Sequence, residues 1–176
     1  MRYINLFLFY AILSKLPGPT APVVGPFLEF LRYRCCKGIF KKCGEKVNVG
    51  TNARFGNGRN IEIGKLSSIG RNCKVPNNII IGDFVMMGPN VTIHSANHKY
   101  DDLTVPMLYQ GIITYEATII EDDVWIGSHA IILPGLVIRK GTIIGTGSLV
   151  TKSFPEYSII AGNPAKIIGS RLKNNA

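Results

Sequence analysis

The sequence predicts an all-β repeat protein, a stack of triangular coils built from short strands and preceded by a helical extension. Three observations support this fold class. Large aliphatic residues recur every six positions in two long runs, glycine often follows them directly, and small or β-branched residues often come four positions after them. A period of six fits neither a helix nor a hairpin. It fits a coil in which each short strand ends in a tight turn.

The two runs of the repeat lie on either side of a single interruption. Their repeat positions hold only aliphatic residues or Met: Ile63, Ile69, Val75, Ile81, Met87 and Ile93, then Ile120, Ile126, Ile132, Ile138, Ile144 and Val150. We expect these side chains to point inward, and the glycine after many of them to allow a turn that a side chain would hinder. Three hexads would close one coil, and stacked coils would align the aliphatic residues in columns. A weaker run at Val49 and Phe55 indicates that the stack begins near residue 47.

The first 46 residues do not follow the repeat. The segment PFLEFLRYRCCKGIF opens with Pro26 and has apolar residues at helical spacing, which predicts a helix with one apolar face. Residues 1–46 hold eight Lys or Arg and two Glu, which is most of the net charge of +9. The apolar stretch Ile4–Leu13 is too short for a membrane span, which needs roughly 20 residues, and no signal-peptide cleavage site follows it. The extension is expected either to cover the end of the stack or to lie on an anionic membrane.

The cysteine and charge patterns argue against two other classes. The four cysteines lack the paired spacing of a zinc site or a disulfide framework, so a reduced, cytoplasmic chain is the simpler interpretation. The basic residues are not interleaved with stacking aromatic residues on a known module, so we expect no nucleic-acid partner.

The interruption of the repeat contains two of the three histidines, His94 and His98, within VTIHSANHKYDDLTVPMLYQG. We expect residues 94–118 to form a loop that leaves the stack. Long loops in compact repeat arrays are more often functional than idle.

Several motifs then narrow the comparison: IIIGDFVMMGPNVTI, NHKYDD, VWIGSHAIILPGLVI, IGTGSLVTK and AGNPAKII. On these residues the chain resembles the hexapeptide-repeat acyltransferases, above all the galactoside, maltose and polysaccharide O-acetyltransferases. The resemblance implies a left-handed parallel β-helix over residues 47–172, after an extension of residues 1–46 and before a tail of residues 173–176. It also implies a homotrimer with active sites between the subunits.

The activity implied by the resemblance is transfer of acetyl from acetyl-CoA to a sugar hydroxyl, in a surface polysaccharide or its precursor. His98 matches the catalytic position, where a neutral imidazole takes the proton of the attacking hydroxyl. His94 and His129 are expected to be structural. The backbone N–H of Ser128 matches the donor to the oxyanion. No metal is implied, and the protein is expected in the cytoplasm, where residues 1–46 could bring it to the inner face of the membrane.

The family's other contacts carry over position by position. The positions that match contacts to CoA are Trp125, Gly127, Ser128, Thr146, Thr151, Lys152, Lys166 and Arg171. Gly169 stands where some sugar acetyltransferases have an arginine, so Lys166 or Arg171 must meet the 3′-phosphate instead. The acceptor side is less specific, and its candidates are Asn77, Asn78, Asp83 and Asp101.

Three alternatives remain open at the level of sequence. The same fold carries acetyltransferases that act on amino sugars or on antibiotics. It also carries zinc-dependent carbonic anhydrases, whose three histidine ligands are spaced differently from His94, His98 and His129. A non-catalytic scaffold is the third alternative, and the motifs that resemble CoA contacts argue against it.

Overall fold

The computed structural model describes residues 1–172, so the tail of residues 173–176 lies outside the described part. The helices are α1 Arg2–Ala11, α2 Gly25–Lys37 and α3 Met107–Gln110, with a 3-10 turn at Leu13–Lys15. The strands are β1 Lys42–Cys43, β2 Asn48–Val49, β3 Glu62–Ile63, β4 Ser68–Ile69, β5 Ile80–Ile81, β6 Met86–Met87, β7 Thr92–Ile93, β8 Ala96–His98, β9 Ile112–Thr114, β10 Ile119–Ile120, β11 Trp125–Ile126, β12 Ile131–Ile132, β13 Val137–Ile138, β14 Ile143–Ile144, β15 Leu149–Val150, β16 Ser158–Gly162 and β17 Ala165–Ser170.

The short strands pair in parallel along three faces of a prism. Face 1 contains β1, β3, β5, β10 and β13, face 2 contains β2, β4, β6, β11, β14 and β16, and face 3 contains β7, β12 and β15. Ile119 pairs with Val137, 18 residues later, which is three hexads per coil. The predicted fold class, a parallel β-helix of hexapeptide repeats with a helical extension, is confirmed. Parallel pairing begins at Lys42, ahead of residue 47.

The aliphatic residues of the repeat fill the centre of the prism. Every repeat position is at most 5% exposed. Three repeats of six residues make one coil, so each side chain stacks on its counterpart 18 residues later, as Ile120 does on Ile138. Burial of one such side chain contributes roughly 1.5–3 kcal/mol. The columns of aliphatic residues therefore hold the stack together.

The glycines that follow the repeat positions serve a different purpose from the one expected. The backbone with positive φ lies three residues after the aliphatic position, for example at Asn90 and His129, each with φ of 61°. The glycine one residue after it faces the neighbouring coil, and a Cβ added at Gly127 would lie 2.6 Å from the backbone N of Thr146. Close approach of two coils, rather than a left-handed turn, requires glycine there.

The N-terminal extension covers the first coil. Phe9 of α1 and Phe40 pack on Phe55, with ring centroids 4.8 and 5.0 Å apart. The hydroxyl of Tyr10 accepts a hydrogen bond from the Phe55 N–H at 3.0 Å and donates one to the Gly56 carbonyl at 3.0 Å. The helix predicted from Pro26 is α2, which starts at Gly25 and ends at Lys37. Within residues 1–172, no helix is long and apolar enough to span a bilayer.

The interruption of the repeat leaves the prism between β7 and β10. The His94 N–H donates to the Ile132 carbonyl at 3.0 Å, and the chain rejoins the stack where the Ile119 N–H donates to the Leu136 carbonyl at 3.0 Å. Between these points β8 and β9 form an antiparallel pair, and α3 follows β8. The excursion is thus a small folded unit on the side of the prism.

Candidate active site

The three corners of the prism provide a frame for the candidate residues. The first corner follows face 1 and includes Asp83. The second corner follows face 2 and includes Ser128 and Thr146. The third corner follows face 3, where the excursion with His98 leaves the stack. Ser128 and the root of the His98 excursion therefore lie at the two corners that bound face 3.

Backbone donors at the second corner are left without partners. Neither the Ser128 N–H nor the Thr146 N–H has an acceptor within residues 1–172. The first corner differs, because there the Lys65 N–H donates to the Asp83 carboxylate at 2.9 Å and the Asp83 N–H to the Asp122 carboxylate at 2.7 Å. Side chains at the second corner do not cap the equivalent groups, so they can serve a bound carbonyl or amide.

Apolar side chains on face 2 lead to these donors. Trp125 is 50% exposed and pairs with Met86 on one side and Ile143 on the other. Gly127 is buried. The next residue, Ser128, is bound to the following coil, because its carbonyl accepts the Gly147 N–H at 2.9 Å. The sequence-predicted residues Trp125, Gly127, Ser128 and Thr146 therefore lie on one face and its corner.

Two of the three predicted cations come together at the C-terminal end. Lys152 and Lys166 line one cavity of about 350 Å³ with Phe154, and the Lys152 ammonium lies 5.7 Å from the centre of the Phe154 ring. Thr151 is exposed beside Lys152. A shared cavity with two cations suits an anionic group such as a phosphate.

Arg171 is occupied elsewhere. Its Nη1 donates to the Asp123 carboxylate at 2.9 Å and to the Gly141 carbonyl at 3.0 Å, both at the first corner. The side chain is thereby held away from the cavity of Lys152 and Lys166. The sequence indicated a cation at position 171 but not this ion pair.

His98 is exposed near the base of the excursion, at the end of β8, opposite Ile112 of β9. Its neighbour Asp101 lines a cavity of about 370 Å³ within the excursion. Asp102 builds the loop itself: its carboxylate accepts the Thr104 hydroxyl at 2.6 Å and the Thr104 N–H at 2.8 Å, and these bonds lower the pKa of Asp102. Of the two carboxylates, Asp101 is therefore the one that the loop leaves available to contact a bound acceptor.

The other acceptor candidates do not lie together in the structure. Asn77 and Asn78 lie at the third corner, one coil before the excursion, and the Asn77 carbonyl accepts the Asn60 N–H at 3.2 Å. Asp83 is at the first corner and caps the coil before it. His129 follows Ser128 and contacts Asn90 at 3.1 Å, in a ladder between coils.

One cavity was missed by the sequence analysis. It has a volume of about 410 Å³ and lies at the second corner, along the three coils that precede the coil of Ser128. Its lining residues are Gly18, Pro19, Thr20, Asn48, Gly50, Thr51, Ser68, Ile69, Gly70, Arg71, Met87 and Pro89. Pro89 is in register with Ser128, because Met87 pairs with Ile126. The signal in the sequence was the matching register of Gly50, Gly70 and Gly88, but the wall from residues 18–20 required the tertiary structure.

The cysteines are poor candidates for a nucleophile. All four are free thiols in the described chain, and burial raises the pKa of Cys43 and of Cys73 to about 11. A thiol with so high a pKa is protonated at neutral pH. The described residues hold no cluster of three His, Cys, Asp or Glu arranged to bind a metal ion.

Comparison with known proteins supports an acetyltransferase site. The family model "Bacterial transferase hexapeptide (six repeats)" matches residues 117–152. A maltose O-acetyltransferase structure from Clostridium difficile 630 is 30% identical, covers 96% of this chain and 85% of its own, and has a TM-score of 0.69. A hexapeptide-repeat acetyltransferase from Vibrio cholerae, solved with acetyl-coenzyme A, is 27% identical, with 96% and 86% covered and a TM-score of 0.78.

One curated relative is named for an antibiotic acceptor. The chain is 51% identical over 113 residues to a chloramphenicol acetyltransferase of Agrobacterium fabrum, with 56% of this chain and 54% of that protein covered. The chain spans between about half and two thirds of the length of four curated relatives that it matches.

Proposed function

Because the chain belongs to the hexapeptide-repeat acetyltransferase family, we propose that it transfers the acetyl group of acetyl-CoA to a sugar hydroxyl. The observation that carries this proposal is the pair of unused N–H donors at Ser128 and Thr146, beside a face lined by Trp125. The oxygen of an acetyl thioester and the amides of pantetheine are acceptors that such donors fit.

The chemistry needs a base, an oxyanion donor and a leaving thiol. The His98 imidazole takes the proton of the acceptor hydroxyl while that oxygen attacks the thioester carbonyl carbon. The Ser128 N–H donates to the oxygen that becomes negative, which is worth about 3 kcal/mol. When the tetrahedral intermediate collapses, the carbon–sulfur bond breaks and the imidazolium returns the proton to the CoA sulfur.

Acetyl-CoA would run along the second corner toward the C-terminal end of the prism. Its thioester would lie at Ser128, its pantetheine arm near Thr146 and its phosphates near Lys152 and Lys166, whose shared cavity supplies two cations. Thr151 lies beside Lys152. The ion pair of Arg171 with Asp123 supports the two lysines, rather than Arg171, as the contact of the phosphates.

The acceptor would enter from the opposite end, into the cavity of about 410 Å³ at the same corner. Asn48 and Thr51 offer side-chain hydrogen-bonding groups for hydroxyls, and Arg71 adds one positive charge. This volume is within the range of small-ligand pockets. The cavity ends at Pro89, in register with Ser128, which would bring a bound hydroxyl close to the thioester. A sugar of a surface polysaccharide or its precursor is the acceptor class we propose.

The complete site would form between copies of the chain. Ser128 and the root of the His98 excursion are separated by a strand and its flanks on face 3, about six residues or ~20 Å of extended chain. A homotrimer would place the excursion of one copy over the second corner of its neighbour. Our proposal includes a cytoplasmic location, where acetyl-CoA is available, and contact of residues 1–46 with the inner face of the membrane.

The test uses the full chain, labelled acetyl-CoA and a panel of mono- and oligosaccharides, nucleotide sugars, amino sugars and chloramphenicol. We expect label on a sugar oxygen, and the product's mass and lability to mild base distinguish an ester from an amide. CoA should also raise the unfolding temperature, as ligands that bind only the native state do. No labelled product from any acceptor, together with no thermal shift, would refute the proposal.

An antibiotic acceptor is the second candidate. It is favoured by the 51% identity to a chloramphenicol acetyltransferase, which exceeds the 30% identity to the maltose enzyme although it covers less of the chain. The chemistry is the same, because chloramphenicol also presents a hydroxyl. Preferential labelling of chloramphenicol over every sugar in the panel would select this alternative.

A further inference from the structure

Helix α1 presents its apolar side to solvent, the reverse of a usual surface helix. The exposed positions form the outer face of α1: Met1, Tyr3, Ile4, Phe7, Leu8, Ala11 and Ile12. At 100° per residue the five of these positions that belong to α1, from Tyr3 to Ala11, cover an arc of about 140°. Tyr3 is 83% exposed, Ile4 65% and Phe7 71%, and the outer face contains no charged side chain.

The orientation of α1 is fixed by its inner side. Phe9 is fully buried against Phe55, and the Arg2 guanidinium donates to the Asn57 carbonyl at 3.0 Å. The Cys35 thiol of α2 donates to the Asn5 carbonyl at 2.9 Å. A rotation that buried the outer face would break these contacts, so the apolar face outward is a property of the folded chain.

The exposed helix pair lies in the most basic part of the chain. Residues 1–46 carry eight Lys or Arg and two Glu, and Arg32 is the one cation among them that is fully buried. Exposed Arg34 and Lys37 end α2, which packs on α1, and α2 adds exposed Phe27 and Phe30. An apolar helix face in a cationic segment is complementary to an anionic bilayer, whose headgroups attract cations while its interior takes up apolar side chains.

We propose that the outer face of α1 inserts into the interfacial region of an anionic lipid bilayer and anchors the protein there reversibly. The helix is ten residues long and lies parallel to the surface as an interfacial helix, not a span. Insertion supplies the apolar part of the binding, and the cations of residues 1–46 make it selective for anionic lipid. This binding does not depend on acetyl transfer.

The test is flotation of the full chain with vesicles of phosphatidylcholine, with and without 30% phosphatidylglycerol. We expect binding to the anionic vesicles that falls with salt, and at least a tenfold loss of partitioning in the double variant Ile4→Ser, Phe7→Ser. The matched control is Leu103→Ser, Leu108→Ser, which removes two exposed leucines of the excursion and should leave partitioning unchanged. Neutralising Arg34 and Lys37 together should weaken binding and flatten its salt dependence.

Thermal unfolding and light scattering of each variant separate the outcomes. The wild-type chain failing to float with anionic vesicles, or the control losing as much partitioning as the α1 variant, would overturn the inference. A smaller oligomer in Ile4→Ser, Phe7→Ser, with no vesicle binding by the wild type, would assign the face to contacts between copies instead. The α1 variant should acetylate a soluble acceptor at the wild-type rate, so failure of anchoring and failure of the proposed activity are distinguishable.

Discussion

The substitution Ser128→Pro removes the proposed oxyanion donor without removing a hydrogen bond of the fold. The Ser128 N–H has no acceptor within residues 1–172, so proline at this position deletes only the donor offered to the ligand. Proline is also compatible with the backbone there. Pro89 occupies the equivalent place one coil earlier, and the residues that follow, Asn90 and His129, share a φ of 61°.

The absence of an acceptor for the Ser128 N–H within residues 1–172 and the precedent of Pro89 set the expected changes in stability and in turnover. Stability should change by less than about 1 kcal/mol, because no buried contact or fold hydrogen bond is lost. Turnover should fall by about 10²–10³-fold, the cost of losing one oxyanion donor. The matched control is Ser128→Ala, which keeps the N–H and should retain near-normal kcat.

The assay is steady-state acetyl transfer to the acceptor identified by the labelling panel, with urea unfolding run in parallel. A folded Ser128→Pro variant with near-normal kcat would refute the assignment of the oxyanion donor. A loss in Ser128→Ala as large as in Ser128→Pro would instead assign the effect to the side chain.

Three further predictions address the other parts of the site and the fold. His98→Ala should lower kcat on the order of 10²-fold or more, because the proposed base is lost, whereas His94→Ala should change kcat little. Equal effects of the two substitutions would contradict the assignment of His98 as the base. Replacing both Lys152 and Lys166 with alanine should raise KM for acetyl-CoA and have little effect on kcat, whereas arginine at both positions should preserve KM. An unchanged KM in the alanine variant would exclude the lysine cavity as the phosphate site. Phe55→Ala should lower the free energy of unfolding in urea titrations by about 3–5 kcal/mol, because a fully buried ring that contacts three other aromatic rings is lost. A loss under about 1 kcal/mol would show that the packing of the N-terminal helices on the prism does not depend on this aromatic cluster.

The candidate site was only partly accessible from the sequence. Motif likeness identified Trp125, Gly127 and Ser128, and the structure brings them to one face and its corner. Likeness could not reveal that Arg171 pairs with Asp123, because the two are 48 positions apart and meet only through the stacking of coils. The roles of Trp125, Gly127 and Ser128 in binding and catalysis stay predictions that the variants above test.

The acceptor residues were hardest to infer for a physical reason. Asn77, Asn78 and Asp83 are near one another along the chain, but a coil turns through one corner every six residues, so Asp83 lies at a different corner from the two asparagines. The cavity at the second corner combines coil residues such as Arg71 with the segment Gly18–Thr20. No local spacing connects these segments.

The sequence by itself determined the prism. A six-residue period sets where each strand turns, and aliphatic residues at every repeat position leave one way to bury them, in columns along the axis. Only the tertiary structure decided which backbone polar groups and apolar side chains remain available to a ligand or a membrane. Within residues 1–172, the carboxylates of Asp83 and Asp122 cap backbone N–H groups at the first corner, whereas the Ser128 and Thr146 N–H groups of the second corner have no acceptor. The packing of Phe9 on Phe55 turns the apolar side of α1 outward. Periodicity fixes what is buried, whereas the pairing of each polar group depends on neighbours that stacking brings from distant parts of the chain.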